Sequence, residues 1–296
     1  MKIGLALGSG GARGIAHLGV LKAIEKHGLT IDYISGSSMG AFVGAAYSAG
    51  VSLEKLEEIA ISSTWQFAAK KFIPSLSKSG FVDGAEISKF LYEVIGVNSF
   101  EDLNIPLAIE TTDLETGECI TITQGELIPA IRASVAVPII LTPKIINDRV
   151  LVDGGLVSPI PIQTVRDMGA DFIIAVDVMA SPKTDLTYSE NGYLDQIMNT
   201  VKQNKYYSIL TKNTPINRHQ KKSVNIINVF MQTLSIGHSK VAEYQIKLEK
   251  PDILIQPETF DFSSYDFHKG KELIDNAYGI AIESLKQLRK WHGKIH

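Results

Sequence analysis

The sequence predicts an α/β fold, a mainly parallel central sheet with helices on both faces, and three observations carry that expectation. Short apolar runs alternate with stretches of helical periodicity from the first residues onward. The strongest of those runs, at 2–8 and 172–178, are apolar but for Lys2 and Asp177 near their ends, as in strands buried on both faces. Glycine-rich turns ("GSGGARG", "GSSMG") separate strand from helix at the tempo of successive strand–helix units.

The elements follow in order. After the strand at 2–8, "IAHLGVLKAIEKHGL" has apolar residues at helical spacing, with Gly28 as its stop. "IDYISG" reads as a second strand, and "MGAFVGAAYSAG" as a helix of small residues closed by Gly50. Residues 53–62 and 85–95 read as helices, with 64–83 irregular between them. "PLAIETTDLETGECITIT" reads as two strands around a polar turn. "ELIPAIRASVAVP" is a helix broken before Pro138, and "DRVLVDGG" a strand and turn leading to a helix and the buried strand at 172–178. Residues 181–224 turn polar and weakly periodic. A helix at 226–249, a strand at 252–256 and an amphipathic helix at 269–292 complete the chain. With no internal repeat or linker, the simplest partition is one domain over 1–296, with an irregular insertion or lid at 181–224 and C-terminal helices and strand over 226–292.

Composition narrows the function classes. The 296 residues are 45% hydrophobic and 21% charged, enough for one large domain or two small ones. A net charge of −3 gives no electrostatic case for nucleic acid. One cysteine, Cys119, excludes an intrachain disulfide and fits a reducing compartment. No Cys/His spacing suits zinc and no acidic loop suits calcium, so neither metal nor cofactor is expected. The apolar run Ile3 to Leu7 is too short for a secretory leader, and no stretch approaches the length of a membrane span. The expected location is the cytoplasm, or the inner face of the membrane as a peripheral protein.

Three glycine-rich sites carry the chemistry. "ISGSSMGAF" fits the G-x-S-x-G nucleophile elbow, with Ser38 between Gly36 and Gly40, a strand before it and a helix after. The backbone N–H of Met39, next after the serine, can donate to an oxyanion. "GSGGARG", Gly8 to Gly14, fails as a dinucleotide fingerprint: Arg13 stands where the third glycine belongs, and Asp32 begins the second strand instead of ending it. A P-loop is excluded too, since no Gly-Lys-Ser/Thr occurs. What remains is a helix start whose amides at Gly10, Gly11 and Ala12 could meet negative charge, with Arg13 adding charge or, preferably, bracing the loop; a plain tight turn explains the glycines equally well. "VDGG" is an ordinary turn sequence, but Asp153, Gly154 and Gly155 follow an apolar strand and precede Pro159 and Pro161, which stiffen the chain.

An elbow serine usually has a histidine to take its proton. Of the seven, His17 lies on the apolar side of the first helix, His27 ends that helix, His219 lies in a basic irregular run, and His292 and His296 are C-terminal. His238 and His268 are not excluded by position, but no loop signature frames them; Asp153 is the better-framed base. A carboxylate can serve if it is within hydrogen-bond reach and partly desolvated.

With these motifs in this order, the chain resembles the patatin-like phospholipases, in particular the small bacterial single-domain members related to the neuropathy-target-esterase catalytic domain. The resemblance spans 3–178 and rests on "GSGGARGIAHLGVLKAIEKHG", "ISGSSMGAFVGAAYSAG", "IRASVAVPIIL" and "VDGGLVSPIPI". It departs at Ser9, where glycine is commoner. The resemblance implies a patatin-like three-layer α/β/α fold and a dyad of Ser38 as nucleophile and Asp153 as base. It also implies an oxyanion hole at Gly10, Gly11 and neighbouring amides, and lipid acyl esters as substrates. A transacylase with the same site and a non-catalytic, membrane-associated protein of this fold are the rival readings. Residues 196–222, with six Lys/Arg and no Asp/Glu, read as a solvated face or as a contact for anionic lipid. The aromatics of "TWQFAAKKFIP" read as core or as an acyl channel or lid. The sequence sets no oligomeric state.

Overall fold

Residues 1–62, 84–179, 226–264 and 266–291 are described by the computed structural model. Ile3–Leu7 (β1) is buried along its whole length, because it lies mid-sheet between two parallel neighbours. A 3-10 turn, Gly11–Ile15, leads into Ala16–Lys26 (α1), which His27 ends by bonding its ring to Ala23 O and Gly28 by a φ of 67°. Tyr33–Ser37 (β2) feeds Met39–Ser48 (α2), a helix apolar on every side and buried except at Tyr47. Leu53–Ile61 (α3) starts on Ser52, whose hydroxyl accepts from Lys55 N–H at 3.3 Å. Then come Gly84–Ile95 (α4), Leu107–Asp113 (β3), Cys119–Ile122 (β4) and Leu127–Ser134 (α5). Lys144–Ile146 (β5), Arg149–Asp153 (β6), Ile162–Asp167 (α6) and Phe172–Val176 (β7) follow. Ile226–Glu249 (α7), Ile253–Ile255 (β8) and Gly270–Leu285 (α8) come last.

The sheet has eight strands in the hydrogen-bonded order β5-β6-β3-β2-β1-β7-β8, with β4 also on β3. The run β3-β2-β1-β7-β8 is parallel, and β4, β5 and β6 are antiparallel additions. One face buries the large core against α1 to α5 and α8; the other buries a smaller one against α6 and α7. This is the expected three-layer α/β arrangement.

The registers place two chain ends together. Glu110 of β3 pairs with Ser37 of β2 and with Thr121 of β4; Thr111 pairs with Ile120 of β4 and with Asp153 of β6. A strand residue has only two edges, so with β4 along one of them, β2 and β6 share the other. β2 runs up that edge and ends opposite Glu110; β6 runs down it and ends opposite Thr111. The residue leaving β2 and the last residue of β6 therefore meet at the middle of β3.

Three local expectations need correction. Strand β5 was not expected: Asn147 and Asp148, with φ of 50° and 60°, form the two-residue turn that folds β5 back on β6. Helix α5 ends at Ser134, short of Pro138. The last helix stops at Leu285 and continues as a 3-10 turn to Trp291. The segments 64–74, 181–224 and 196–222 singled out in the sequence lie outside the described residues.

Candidate functional site

Ser38 joins β2 to α2 with φ 54° and ψ −122°. Such a backbone is costly for a residue with a side chain, by about 1–3 kcal/mol, and persists only where its surroundings impose it. They do so here. A Cβ on Gly40 would stand 2.1 Å from Leu7 O, so α2 can begin this close to β1 only with glycine there. A Cβ on Gly36 would stand 2.6 Å from Ala41 Cα. The Ser38 N–H donates to Ser134 Oγ at 2.9 Å, and Ser134 donates onward to Glu110 O at 2.6 Å. Ser134 thus pins the elbow to β3.

Ser38 Oγ donates to Asp153 Oδ2 at 2.6 Å, in a setting where both residues are buried. Asp153 Oδ1 accepts from Gly155 N–H at 2.8 Å, the Asp153 N–H donates to Ala136 O at 3.1 Å, and Thr112 Oγ1 donates to Asp153 O at 2.8 Å. Every polar group of the aspartate is held. Burial pushes its carboxyl up to about 6, against the hydrogen bonds from Ser38 and Gly155, which favour the charged form. Gly154 and Gly155 allow close approach: a Cβ would lie 2.2 Å from Glu110 O on the first and 2.6 Å from Ser9 Oγ on the second.

The glycine-rich turn lies against the same place. A Cβ on Gly14 would stand 2.3 Å from Met39 Cγ, one on Gly8 2.8 Å from Val176 O, and one on Gly10 2.6 Å from Val178 Cγ2. Gly11 has φ 57°. Not all of the expected amides face the site. The Ala12 N–H donates to Ser264 O at 2.8 Å and the Arg13 N–H to Gly10 O at 3.2 Å, so both are already engaged. Among the described residues, none accepts from the N–H of Gly10, Gly11 or Met39. Arg13 braces the turn: its Nε donates to Phe262 O at 2.7 Å, and burial lowers the guanidinium's affinity for its proton.

No described histidine hydrogen-bonds to Ser38 or Asp153. His17 is fully buried, with Nε2 against Gly8 O at 2.7 Å and Nδ1 unpartnered; His268 is exposed. Asp32 accepts from Lys2 Nζ and Ile3 N–H, each at 2.8 Å, at the opposite ends of β1 and β2 from Ser38. Among the described residues, no group of three or more His, Cys, Asp or Glu could hold a metal ion, and no helix is long and apolar enough to cross a membrane. Ser134 and Thr112 were given no role in the sequence reading. Ser134 lies within the quoted "IRASVAVP", but at a helical position nothing distinguishes a serine that holds an elbow from one that merely caps a turn.

Known proteins resemble this chain in sequence and in fold. The family model described as patatin-like phospholipase matches residues 5–166. An uncharacterised NTE family protein of Mycobacterium tuberculosis is 38% identical over 180 residues, covering 61% of this chain and 50% of that one. A lysophospholipase NTE1 of Eremothecium gossypii is 30% identical over 291 residues, covering 95% of this chain and 18% of that one. The chain thus spans half the length of the mycobacterial relative and less than a fifth of the fungal one. Among solved structures, VipD from Legionella pneumophila superposes with a TM-score of 0.51 at 14% identity, covering 97% of this chain and 66% of that one. That likeness concerns the fold.

Proposed function

The chain belongs to the patatin-like phospholipase family, and from that premise we propose that it hydrolyses acyl esters of lipids, with Ser38 as nucleophile and Asp153 as its base. One observation carries the reading: the buried 2.6 Å hydrogen bond from Ser38 Oγ to Asp153 Oδ2. The Asp153 carboxylate takes the hydroxyl proton as Ser38 Oγ attacks the ester carbonyl carbon. The charge that develops on the carbonyl oxygen falls to the unengaged N–H groups of Gly10 and Gly11 in the glycine-rich turn and of Met39 at the start of α2, whose dipole favours an anion. Collapse expels the alcohol, which receives its proton from Asp153 and leaves an acyl ester on Ser38. Water, deprotonated by Asp153, then releases the fatty acid and restores the serine.

A carboxylate with its affinity raised to about 6 is a stronger base than an ordinary aspartate and is still largely ionised at neutral pH. It remains a weak base for an alcohol, so the amides must contribute substantially; loss of one such donor typically costs about a hundred- to a thousand-fold in rate. The relatives named as lysophospholipases favour single-chain phospholipids as the substrate class. The test is hydrolysis of a nitrophenyl ester and of a lysophospholipid by wild type and by Ser38→Ala. The variant should be inactive and should no longer take up a fluorophosphonate. Turnover that survives in Ser38→Ala, or labelling at another residue, defeats the proposal.

A further inference from the structure

The turn that carries the amides of Gly10 and Gly11 is rich in glycine and has little stiffness of its own, so its shape depends on what holds it. Its far end is held by Arg13, whose Nε donates to Phe262 O, and by the Ala12 N–H on Ser264 O. Its near end is held by His17, a fully buried residue of α1 that the proposed chemistry does not use. Burial pushes the imidazole down to about 4, so at neutral pH it is uncharged and carries one N–H. Nε2 lies 2.7 Å from Gly8 O, and a carbonyl oxygen only accepts. The proton is therefore on Nε2, and Nδ1, which has no partner, keeps its lone pair. Among the described residues, no other group donates to Gly8 O.

The Gly8 carbonyl stands where the parts of the site meet. The same peptide carries the Ser9 N–H, which donates to Pro159 O at 2.8 Å, in the loop that follows Asp153. A Cβ on Gly40, at the start of α2, would come within 2.7 Å of Gly8 O, and one on Gly14 would stand 3.7 Å from His17 Cδ2. The ring thus lies against both ends of the turn, beside the elbow. The Gly8–Ser9 peptide is a rigid plane, so its rotation would carry Gly10 and Gly11 with it. Without the imidazole bond the buried Gly8 carbonyl is unpaired and gains by rotating toward another donor. We propose that His17 is a positioning residue of the oxyanion site: its Nε2–H fixes the Gly8–Ser9 peptide and so the direction of the Gly10 and Gly11 N–H groups. The inference rests on the proposed hydrolase reading and adds to it a side chain that acts only through the backbone. His17 donates to the turn and takes no proton from Ser38.

The experiment measures kcat and KM for a nitrophenyl ester across pH in wild type, His17→Gln and His17→Asn. The amide nitrogen of glutamine reaches as far along the side chain as histidine Nε2, and that of asparagine only as far as Nδ1. His17→Gln therefore keeps the bond to Gly8 O, and His17→Asn loses it. Rates are taken per Ser38 finally labelled by a fluorophosphonate, so a variant that folds only in part is still read. In His17→Asn kcat should fall about tenfold or more with KM within about threefold, because misdirected oxyanion donors act on the transition state. His17→Gln should keep kcat within about threefold of wild type. The acid limb should stay in place in both, since Asp153 is untouched. The speed of fluorophosphonate uptake should follow kcat, because the phosphoryl oxygen takes the place of the ester carbonyl oxygen. If both variants match wild type, if both fall together, if KM alone changes or if the acid limb moves, His17 does not act through the Gly8 carbonyl, while the hydrolase reading stands. If wild type cleaves no ester, that reading fails, and amide hydrogen exchange still reads the turn. The Ser9 and Ala12 N–H groups should then exchange faster in His17→Asn than in wild type or His17→Gln; equal exchange in all three overturns the inference.

Discussion

Asp153 sits almost wholly out of water, with one oxygen on Ser38 and the other on the Gly155 N–H. Its carboxyl is raised to about 6 in the folded protein, against 3.8 for the free group. An acid raised on folding is held more tightly as the neutral form. The folded state is therefore penalised as pH rises from 3.8 through 6, and the penalty is complete at neutral pH, where it reaches about 3 kcal/mol. Asp153→Asn keeps the shape, the bond from Gly155 and a contact to Ser38 Oγ, and removes the charge. It should raise stability at pH 7 by up to about 3 kcal/mol and leave it unchanged below pH 3.8 while abolishing ester hydrolysis. Urea titrations at the two pH values measure this; an equal effect at both would show that the charge is not the cause. The same shift sets the acid limb of activity near pH 6, where an imidazole would also be suspected. Temperature separates the two, because carboxyl ionisation is nearly athermal and imidazole ionisation is not. A limb that stays near pH 6 on warming supports Asp153; one that moves down with temperature points to a histidine.

At the scale of elements, the site exists because β2 and β6 end against each other on one edge of β3. Ser134 ties that junction together, from the end of α5, by accepting from Ser38 N–H and donating to Glu110 O. Ser134→Ala strands a buried donor and a buried acceptor, which costs about 1–3 kcal/mol. It also frees the elbow to move, and a displacement of about 1 Å can lower the rate roughly a hundredfold. The expected result is a kcat reduced tenfold or more with little change in KM, from initial rates over a range of concentrations of one ester. A KM defect with kcat intact would mean that Ser134 shapes substrate binding instead. The strands β1, β2, β3 and β7 and the elbow were legible in the sequence because each is a local signal: an apolar run, or glycines two residues either side of a serine. The junction was not, because register between residues so far apart leaves no local trace. The engaged amide of Ala12 was misread for the same reason, since its acceptor, Ser264, comes from the far end of the chain; the Arg13 N–H, by contrast, is taken up locally by Gly10 O. Strand β5 was missed because three residues, with Ile145 exposed, leave too short a pattern; its Asn147–Asp148 turn was the available sign.

Buried and half-buried ionisable groups lie on both faces of the sheet, and their signs decide how the protein responds to acid. His17, on α1, is fully buried, with burial lowering it to about 4, and His238, on α7, is lowered to about 4 by the same cause. A base depressed on folding binds its proton more readily in the unfolded chain. Its contribution to stability is complete above pH 6.5 and is lost as pH falls from 6.5 to 4, by about 3 kcal/mol for His17. Asp153 acts in the opposite sense over pH 6 to 3.8, and Asp177, raised by burial, shares its direction. The histidine losses begin at higher pH than the gain from Asp153, so stability should decline as pH falls from 6.5 toward 6. His17→Gln isolates one share of that decline. The amide keeps an N–H for Gly8 O but does not titrate, so the variant should lose less stability than wild type between pH 7 and 4, the difference approaching about 3 kcal/mol. Urea midpoints at half-unit intervals, with circular dichroism as the probe, give both curves. Curves that run parallel through this window would mean that His17 takes up no extra proton on unfolding and that the acid sensitivity lies in other groups.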